Sequence, residues 1–291
     1  MDALFIDIGS NTIKSLLAKF EGGKIVALSE STVAKRISAD SSLATDAVQI
    51  IADAVGELKN RAAEFSKNFQ TVCFGTSALR DFPDAVAALE RLAEMGVDVR
   101  VLSGAEEASL SFNGALTDDS LNIRGDMRVV YADLGGGSME FVEGCGHIAE
   151  SARSLPLGAV RLTKMFSGNL EKIAEYCGEQ LSSLKLPDED FRLVIAGGAV
   201  SAARHILGNG IFCECSEISS HDMHKVLKIA LAKGAAGLSE KYSIPPTRAD
   251  ILPAAFVCMI QTMKHFGQVE FTHATRSLRY GVAEKYFYSA Y

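Results

Sequence analysis

The sequence predicts an α/β protein of two domains built to the same plan. Three observations predict it. Residues 5–18 read FIDIGSNTIKSLLA and residues 131–144 read YADLGGGSMEFVEG; each is an apolar strand ending in Asp, then Gly, then small residues, then a second alternating strand. Asp7 and Asp133 lie 126 positions apart, close to the length of one small domain. Strand and helix patterns then alternate through both halves in the order strand–strand–strand–helix–strand–helix. Each half is therefore expected to form a mixed five-stranded sheet flanked by helices. The acidic turns are expected to face an interdomain cleft that holds phosphate and a metal ion.

The elements follow in order. Residues 3–8 and 12–20 read as strands around a Gly-Ser-Asn turn, and Glu21-Gly22-Gly23-Lys24 is a second turn before a strand at 25–33. Val48, Ile51, Val55, Leu58, Ala62 and Phe65 step by three and four, the stripe of an amphipathic helix. Residues 71–75 form a short strand, 84–95 a helix that begins beside Pro83 and stops at Gly96, and 97–102 a strand. Residues 106–116 form a helix with Ser103 as its N-cap. The polar stretch 117–128, with Asp118-Asp119-Ser120, Asn122 and Gly125-Asp126, is the predicted linker. The pattern restarts with strands at 128–133, 138–142 and 147–154, helices at 159–166 and 170–184, and a strand at 191–196 running into Gly197-Gly198. Helices at 200–207, 222–233 and 248–266, a strand at 269–272 and a last helix from 278 complete it. The predicted domains are 1–124 and 125–278, with 279–291 a terminal helix returning toward the first.

Composition narrows the function. About half the residues are apolar (48%), enough for a sizeable core and too many for a disordered chain. A net charge of −7 argues against a nucleic-acid coat protein, which needs a broad basic surface, though not against a polyanion held in a local basic cleft. Met1-Asp2-Ala3-Leu4 lacks a basic n-region and enters a strand directly, so no signal peptide is expected. The longest apolar run, 251–260, is broken by Pro253 and too short for a bilayer. The six cysteines read as reduced and buried, with Cys213 and Cys215 a lone C-x-C lacking partner ligands. A cytoplasmic protein is expected. No serine-hydrolase, zincin or Walker lysine motif is present, and the six histidines are scattered.

The chemistry concentrates at the repeated turns. In Asp7-Ile8-Gly9-Ser10-Asn11-Thr12, Gly9 lets a phosphate oxygen approach main-chain N–H groups, Ser10, Asn11 and Thr12 add donors, and Lys14 adds charge on the next strand. Asp7 could hold magnesium through water. A plain hairpin turn explains this copy equally simply. In the second copy, Asp133-Leu134-Gly135-Gly136-Gly137-Ser138-Met139-Glu140, three consecutive glycines weaken a hairpin and so need a reason. Close approach of a phosphate chain supplies one, and Glu140 offers a second carboxylate for metal or water.

The pair DIGSNT and DLGGGS resembles the two phosphate loops of the actin, sugar-kinase and heat-shock chaperone superfamily (ribonuclease H-like domains). Within it the chain resembles the exopolyphosphatase and guanosine pentaphosphate phosphohydrolase (Ppx/GppA) family. FIDIGSNTIKSLLA, FGTSALRD at 74–81, VLSGAEEASLSFNGAL at 101–116, VVYADLGGGSMEFVEG at 129–144, SLPLGAVRL at 154–162 and VIAGGAV at 194–200 carry the likeness, and SLRYGVAEKY at 277–286 carries it more loosely. The resemblance implies that Glu107, the second glutamate of SGAEEA, activates the attacking water, although Glu106 and Glu107 also suit a helix N-terminus on charge alone. It implies that Arg80 faces the bound phosphates, where a guanidinium can bridge two oxygens. Arg36, Arg153 and Arg161 could extend a basic cleft, but each reads more simply as a surface charge. Gly197 and Gly198 match a loop that contacts adenosine in the wider superfamily, and equally read as a helix-opening turn.

The expected activity is an exopolyphosphatase, with Asp7, Asp133 and Glu140 placing Mg2+, and Gly9, Ser10, Asn11, Thr12, Lys14, Gly135, Gly136, Gly137 and Ser138 binding phosphate. Hydrolysis of guanosine pentaphosphate (pppGpp) is the alternative in the same chemistry, and a non-catalytic nucleotide or alarmone sensor is the alternative from another class. A sugar kinase fits less well, because there is no room for the insertions that shape a sugar pocket. Longer family members carry extra C-terminal helical domains that help grip long chains. The sequence ends at Tyr291, about where a two-domain core should close, so weak processivity is expected, with a homodimer as one way to extend the groove.

Overall fold

The computed structural model describes residues 1–37, 42–213 and 215–289. The chain divides into two compact units, Met1–Thr117 with Arg276–Tyr291, and Asp118–Thr275.

In the first unit β1 (Asp2–Ile8), β2 (Ile13–Glu21) and β3 (Lys24–Val33) form an antiparallel meander. Helix α1 (Ala47–Ala62) then leads to β4 (Phe69–Gly75), which pairs parallel with β1. After α2 (Ser77–Asp81) and α3 (Ala85–Glu94) comes β5 (Val99–Val101), parallel to β4, and α4 (Gly104–Leu116). The strand order is β3-β2-β1-β4-β5. Strand alternation divides the core into two layers. Leu4, Ile6 and Ile8 bury against α1, while Ala3 and Phe5 face the other layer with Leu110 of α4.

The second unit repeats the plan. β6 (Arg128–Leu134), β7 (Met139–Cys145) and β8 (Ile148–Leu155) form the meander. Helices α5 (Ala159–Met165) and α6 (Leu170–Leu181) precede β9 (Phe191–Ala196), which is parallel to β6. Then follow α7 (Gly198–Leu207), β10 (Glu217–Ser219), α8 (Ser220–Tyr242), α9 (Pro246–Ala249), α10 (Leu252–His265) and β11 (Glu270–Ala274). The strand order β8-β7-β6-β9-β11 reproduces that of the first sheet, and β10 adds a sixth, three-residue strand at the edge beyond the five expected. Helix α8 is broken at Gly234, whose φ of 63° only glycine adopts readily; its first segment ends where the expected 222–233 helix does, and a second segment runs on to Tyr242. The single helix expected over 248–266 is two, α9 and α10.

The last helix, α11 (Leu278–Ser289), belongs to the first unit. It packs on α4 so closely that a Cβ on Gly281 would overlap the Leu110 carbonyl, and one on Gly114 the Ser277 carbonyl. Phe287 meets Phe5 edge-on at 5.7 Å and Arg279 donates to the Ser15 carbonyl at 2.6 Å. Residues 290–291 lie outside the described residues. The six thiols are free. Cys73, Cys177 and Cys258 are buried as expected; Cys215 is exposed, and Cys145 and Cys213 are partly so.

Candidate functional site

The two predicted turns close identically. Gly9 N–H donates to the Thr12 carbonyl at 3.1 Å, and Gly135 N–H to the Ser138 carbonyl at 3.0 Å. In neither turn is the first glycine at positive φ. Closeness selects it instead: a Cβ on Gly9 would stand 3.1 Å from the Thr12 oxygen, and one on Gly135 3.2 Å from the Ser138 oxygen. Close approach, and not an unusual backbone conformation, is what each turn requires of its first glycine.

The residues just before and after each turn differ in charge. Asp7 stands opposite Lys14 in the β1–β2 ladder, and Asp133 stands opposite Glu140 in the β6–β7 ladder. Opposed residues of an antiparallel pair share a face. The first hairpin thus sets a carboxylate against an ammonium, and the second sets two carboxylates together. Glu140 is buried (2% exposed) and accepts from Ser154 Oγ at 2.9 Å, while Asp133 lies 3.3 Å from the Tyr131 hydroxyl. Among the described residues no group of three or more His, Cys, Asp or Glu forms a metal cage. Two carboxylates leave most positions to water and phosphate, the donor set magnesium accepts and zinc or calcium sites do not favour. The Asp133–Glu140 pair fits that ion.

In the first unit Ser10, Asn11 and Thr12 are buried. The Ser10 hydroxyl lies 3.3 Å from that of Ser77, at the start of α2, and Arg36 Nε donates to the Asn11 side chain at 3.0 Å. Helix α2, too short for its periodicity to be read, presents Arg80. Its Nη1 donates to Glu107 Oε2 at 2.8 Å and to the Leu102 carbonyl at 3.1 Å, and its Nε to Asp81 at 3.0 Å. Burial pulls the guanidinium pKa down, but the bonds and charges of Glu107 and Asp81 outweigh it and leave the value raised.

The two glutamates at the head of α4 have separate duties. Ser103 caps the helix and Glu106 completes the capping box, accepting from the Ser103 N–H at 3.2 Å and from Arg100 at 2.6 Å. The backbone bond to Ser103, with Arg100 adding charge, holds Glu106 below the usual carboxylate range. Glu107 is outside the box, buried (7% exposed), and held by Arg80.

The glycine run of the second turn serves packing within its own unit. The Gly135 and Gly136 carbonyls accept from the N–H groups of Ala159, Val160 and Arg161, and a Cβ on Gly158 would overlap Gly136 and Gly137. Arg161 Nε donates to the Gly137 carbonyl at 2.7 Å. Arg161 is thus part of the loop's support and not a surface charge; SLPLGAVRL was the only sequence signal for it. Gly197 caps α7 at φ 120°, where a Cβ would stand 2.5 Å from the Leu134 carbonyl oxygen. Gly198 lies against the Arg248 guanidinium, which a Cβ there would approach to 3.0 Å. Sequence reasoning missed Arg248. Burial lowers its pKa, and its guanidinium has no hydrogen-bond or ion-pair partner among the described residues. A desolvated, unpaired arginine beside a glycine-opened helix is suited to an anion.

The same fold occurs in solved Ppx/GppA proteins. The family member from Aquifex aeolicus superposes with a TM-score of 0.79 at 22% identity, covering 100% of this chain and 98% of that one. An exopolyphosphatase from Cytophaga hutchinsonii superposes with a TM-score of 0.85 at 20% identity, covering 99% and 98%. These likenesses establish the actin-like architecture of two mixed sheets with flanking helices. The model of the Ppx/GppA phosphatase family matches residues 19–185, more than half of the 291-residue chain, so the chain belongs to that family. Exopolyphosphatase 1 of Mycobacterium leprae is 32% identical over 165 residues, 55% of this chain and 48% of that protein. A guanosine-5'-triphosphate,3'-diphosphate pyrophosphatase of Vibrio atlanticus is 29% identical over 161 residues, 53% of this chain and 31% of that protein. The chain spans about half the length, or less, of these curated relatives. Among the described residues no helix is long and apolar enough to cross a membrane.

Proposed function

We propose that the chain is an exopolyphosphatase, removing terminal orthophosphate from inorganic polyphosphate by attack of water. The observation that carries the reading is Glu107: buried, outside the capping box that occupies Glu106, and fixed by Arg80. A carboxylate so held can accept a proton from water and aim it in line with the leaving phosphate. Arg80 orients Glu107 and keeps Nη2, which takes none of the Glu107, Leu102 and Asp81 bonds, for the charge that develops on phosphate oxygens. The 9–12 turn with Lys14 in the first unit, and the 135–138 turn in the second, offer N–H and hydroxyl groups to phosphate oxygens. Asp133 and Glu140 of the second unit would hold Mg2+, and Asp7 is the corresponding carboxylate of the first unit; the ion would supply charge neutralisation of the phosphates. The name and identity of the Mycobacterium leprae relative favour polyphosphate.

A second reading, hydrolysis of the terminal 5'-phosphate of pppGpp, is favoured by Gly197 and Gly198 opening α7 beside the unpartnered Arg248, which suits a nucleotide bearing additional phosphate. Phosphate release from long-chain polyphosphate and from pppGpp, measured on one preparation, decides between them. A clear preference for pppGpp overturns the first reading. Saturable binding of either compound with no release overturns both and leaves a sensor.

A further inference from the structure

We infer that the second unit carries a separate pocket for a compact organic anion, at the edge of its sheet. A cavity of about 240 Å3 opens beneath β7 and β8, walled on the far side by the segment after α6. Phe141, Phe266, Arg153, Lys185, Ser151 and Ser183 line it. Register places the strand residues on one face: Phe141 opposes Arg153, and Glu143 opposes Ser151. That is the face covered by helices, opposite to the one bearing Asp133 and Glu140.

The charges make the cavity specific. Arg128, close by, is satisfied by carboxylates, with Glu143 at 3.5 Å, Glu189 at 3.6 Å and Glu150 also paired. Arg153 and Lys185 have no ion pair or side-chain hydrogen bond among the described residues. Two exposed cations without ion-pair partners, Arg153 on β8 and Lys185 on the facing segment after α6, favour an anion held between them. Glu143, also in the lining, directs the anionic end away from itself toward Arg153 and Lys185. Phe141 and Phe266, with ring centroids 6.2 Å apart, give the floor an apolar side. Ser183 donates to the Gln180 carbonyl at 2.7 Å and so presents lone pairs, not its proton, to the cavity. The volume lies below the range of drug-sized sites and suits one ring with one acidic group. The Phe141–Arg153 rung is next to the Glu140–Ser154 rung, so the pocket abuts the strand pair that holds Glu140.

Phenylphosphonate, whose C–P bond resists hydrolysis, is the probe, titrated calorimetrically at low salt. Methylphosphonate (charge without ring) and benzyl alcohol (ring without charge) are the comparisons. Single-site saturation by phenylphosphonate is expected in the unmodified protein and in Arg80→Ala, with each comparison compound at least about tenfold weaker. Binding should weaken at least about tenfold in the Arg153→Ala/Lys185→Ala double variant, and also in Ser151→Phe, which fills the cavity and keeps both cations. The pocket is rejected by an absence of saturation, or by pocket variants that bind as the unmodified protein does. The ligand class is rejected if methylphosphonate or benzyl alcohol binds as tightly as the probe. Loss of binding in Arg80→Ala with retention in the pocket variants assigns the probe to the first unit and overturns the proposal.

Discussion

Arg80 Nη1 donates to Glu107 Oε2 at 2.8 Å, joining a five-residue helix to the first turn of α4. Residues that act through one bond do not contribute independently. Glu107→Gln is expected to lower turnover at least about 100-fold with KM little changed, the usual size of a general-base contribution. Arg80→Ala should also lower it, and the double variant should be hardly slower than the slower single. Phosphate-release kinetics on the four proteins supply the check, and multiplicative losses would show that the two residues act separately.

The two hairpins make unequal use of their aspartates. Asp7 is opposed by Lys14, a residue of opposite charge, whereas Asp133 is opposed by Glu140, and two like charges on one face favour a cation. Asp133→Asn and Glu140→Gln are therefore expected to raise the magnesium concentration for half-maximal rate by about ten- to a hundredfold, and Asp7→Asn by clearly less. A magnesium titration of the rate measures it. Equal shifts in all three variants would remove the distinction between the hairpins.

The duplication was legible because hairpin, Asp and Gly lie within a few residues of one another, and both copies kept the same closing hydrogen bond. Strand alternation was legible for the same reason. What escaped the sequence depends on partners distant along the chain, or on elements too short to show a period. Helix α2 spans five residues and β10 three, below any periodic signal. Arg161 and Arg248 act through a main-chain carbonyl and a glycine face that only folding brings near. The glycine run was read as room for phosphate, but the Gly158 backbone occupies one side of it.

That packing has a direct test. Gly158→Ala would place a Cβ inside the Gly136–Gly137 backbone, and neither segment is free to retreat, since three N–H groups of the α5 start hold the loop. Overpacking of this kind costs about 1–3 kcal/mol. The thermal midpoint should fall, and activity should fall further than the loss of folded protein explains, because the displaced loop carries the N–H groups assigned to phosphate. Normal activity per folded molecule would separate loop position from catalysis.

The pH dependence of stability should be set in part by His273. Its ring is buried in β11, and Arg204 Nη1 approaches Nδ1 at 3.1 Å, so Nδ1 must accept and the imidazole must be neutral. Burial, and then the Arg204 charge, push its pKa down to about 3, with Asp118 opposing weakly. An unfolded histidine titrates near 6.5. Between those values the unfolded chain binds a proton that the folded chain refuses, so stability rises with pH across the window. Stability contributed by neutral His273 is therefore complete above about pH 6.5 and is lost progressively toward pH 3, a change on the order of a few kcal/mol. His273→Asn keeps an acceptor where Nδ1 stood but cannot be protonated in this range. Urea unfolding of both proteins at pH 7 and pH 5 should show a smaller loss of stability in the variant. Equal losses would place the acid-sensitive group elsewhere in the protein.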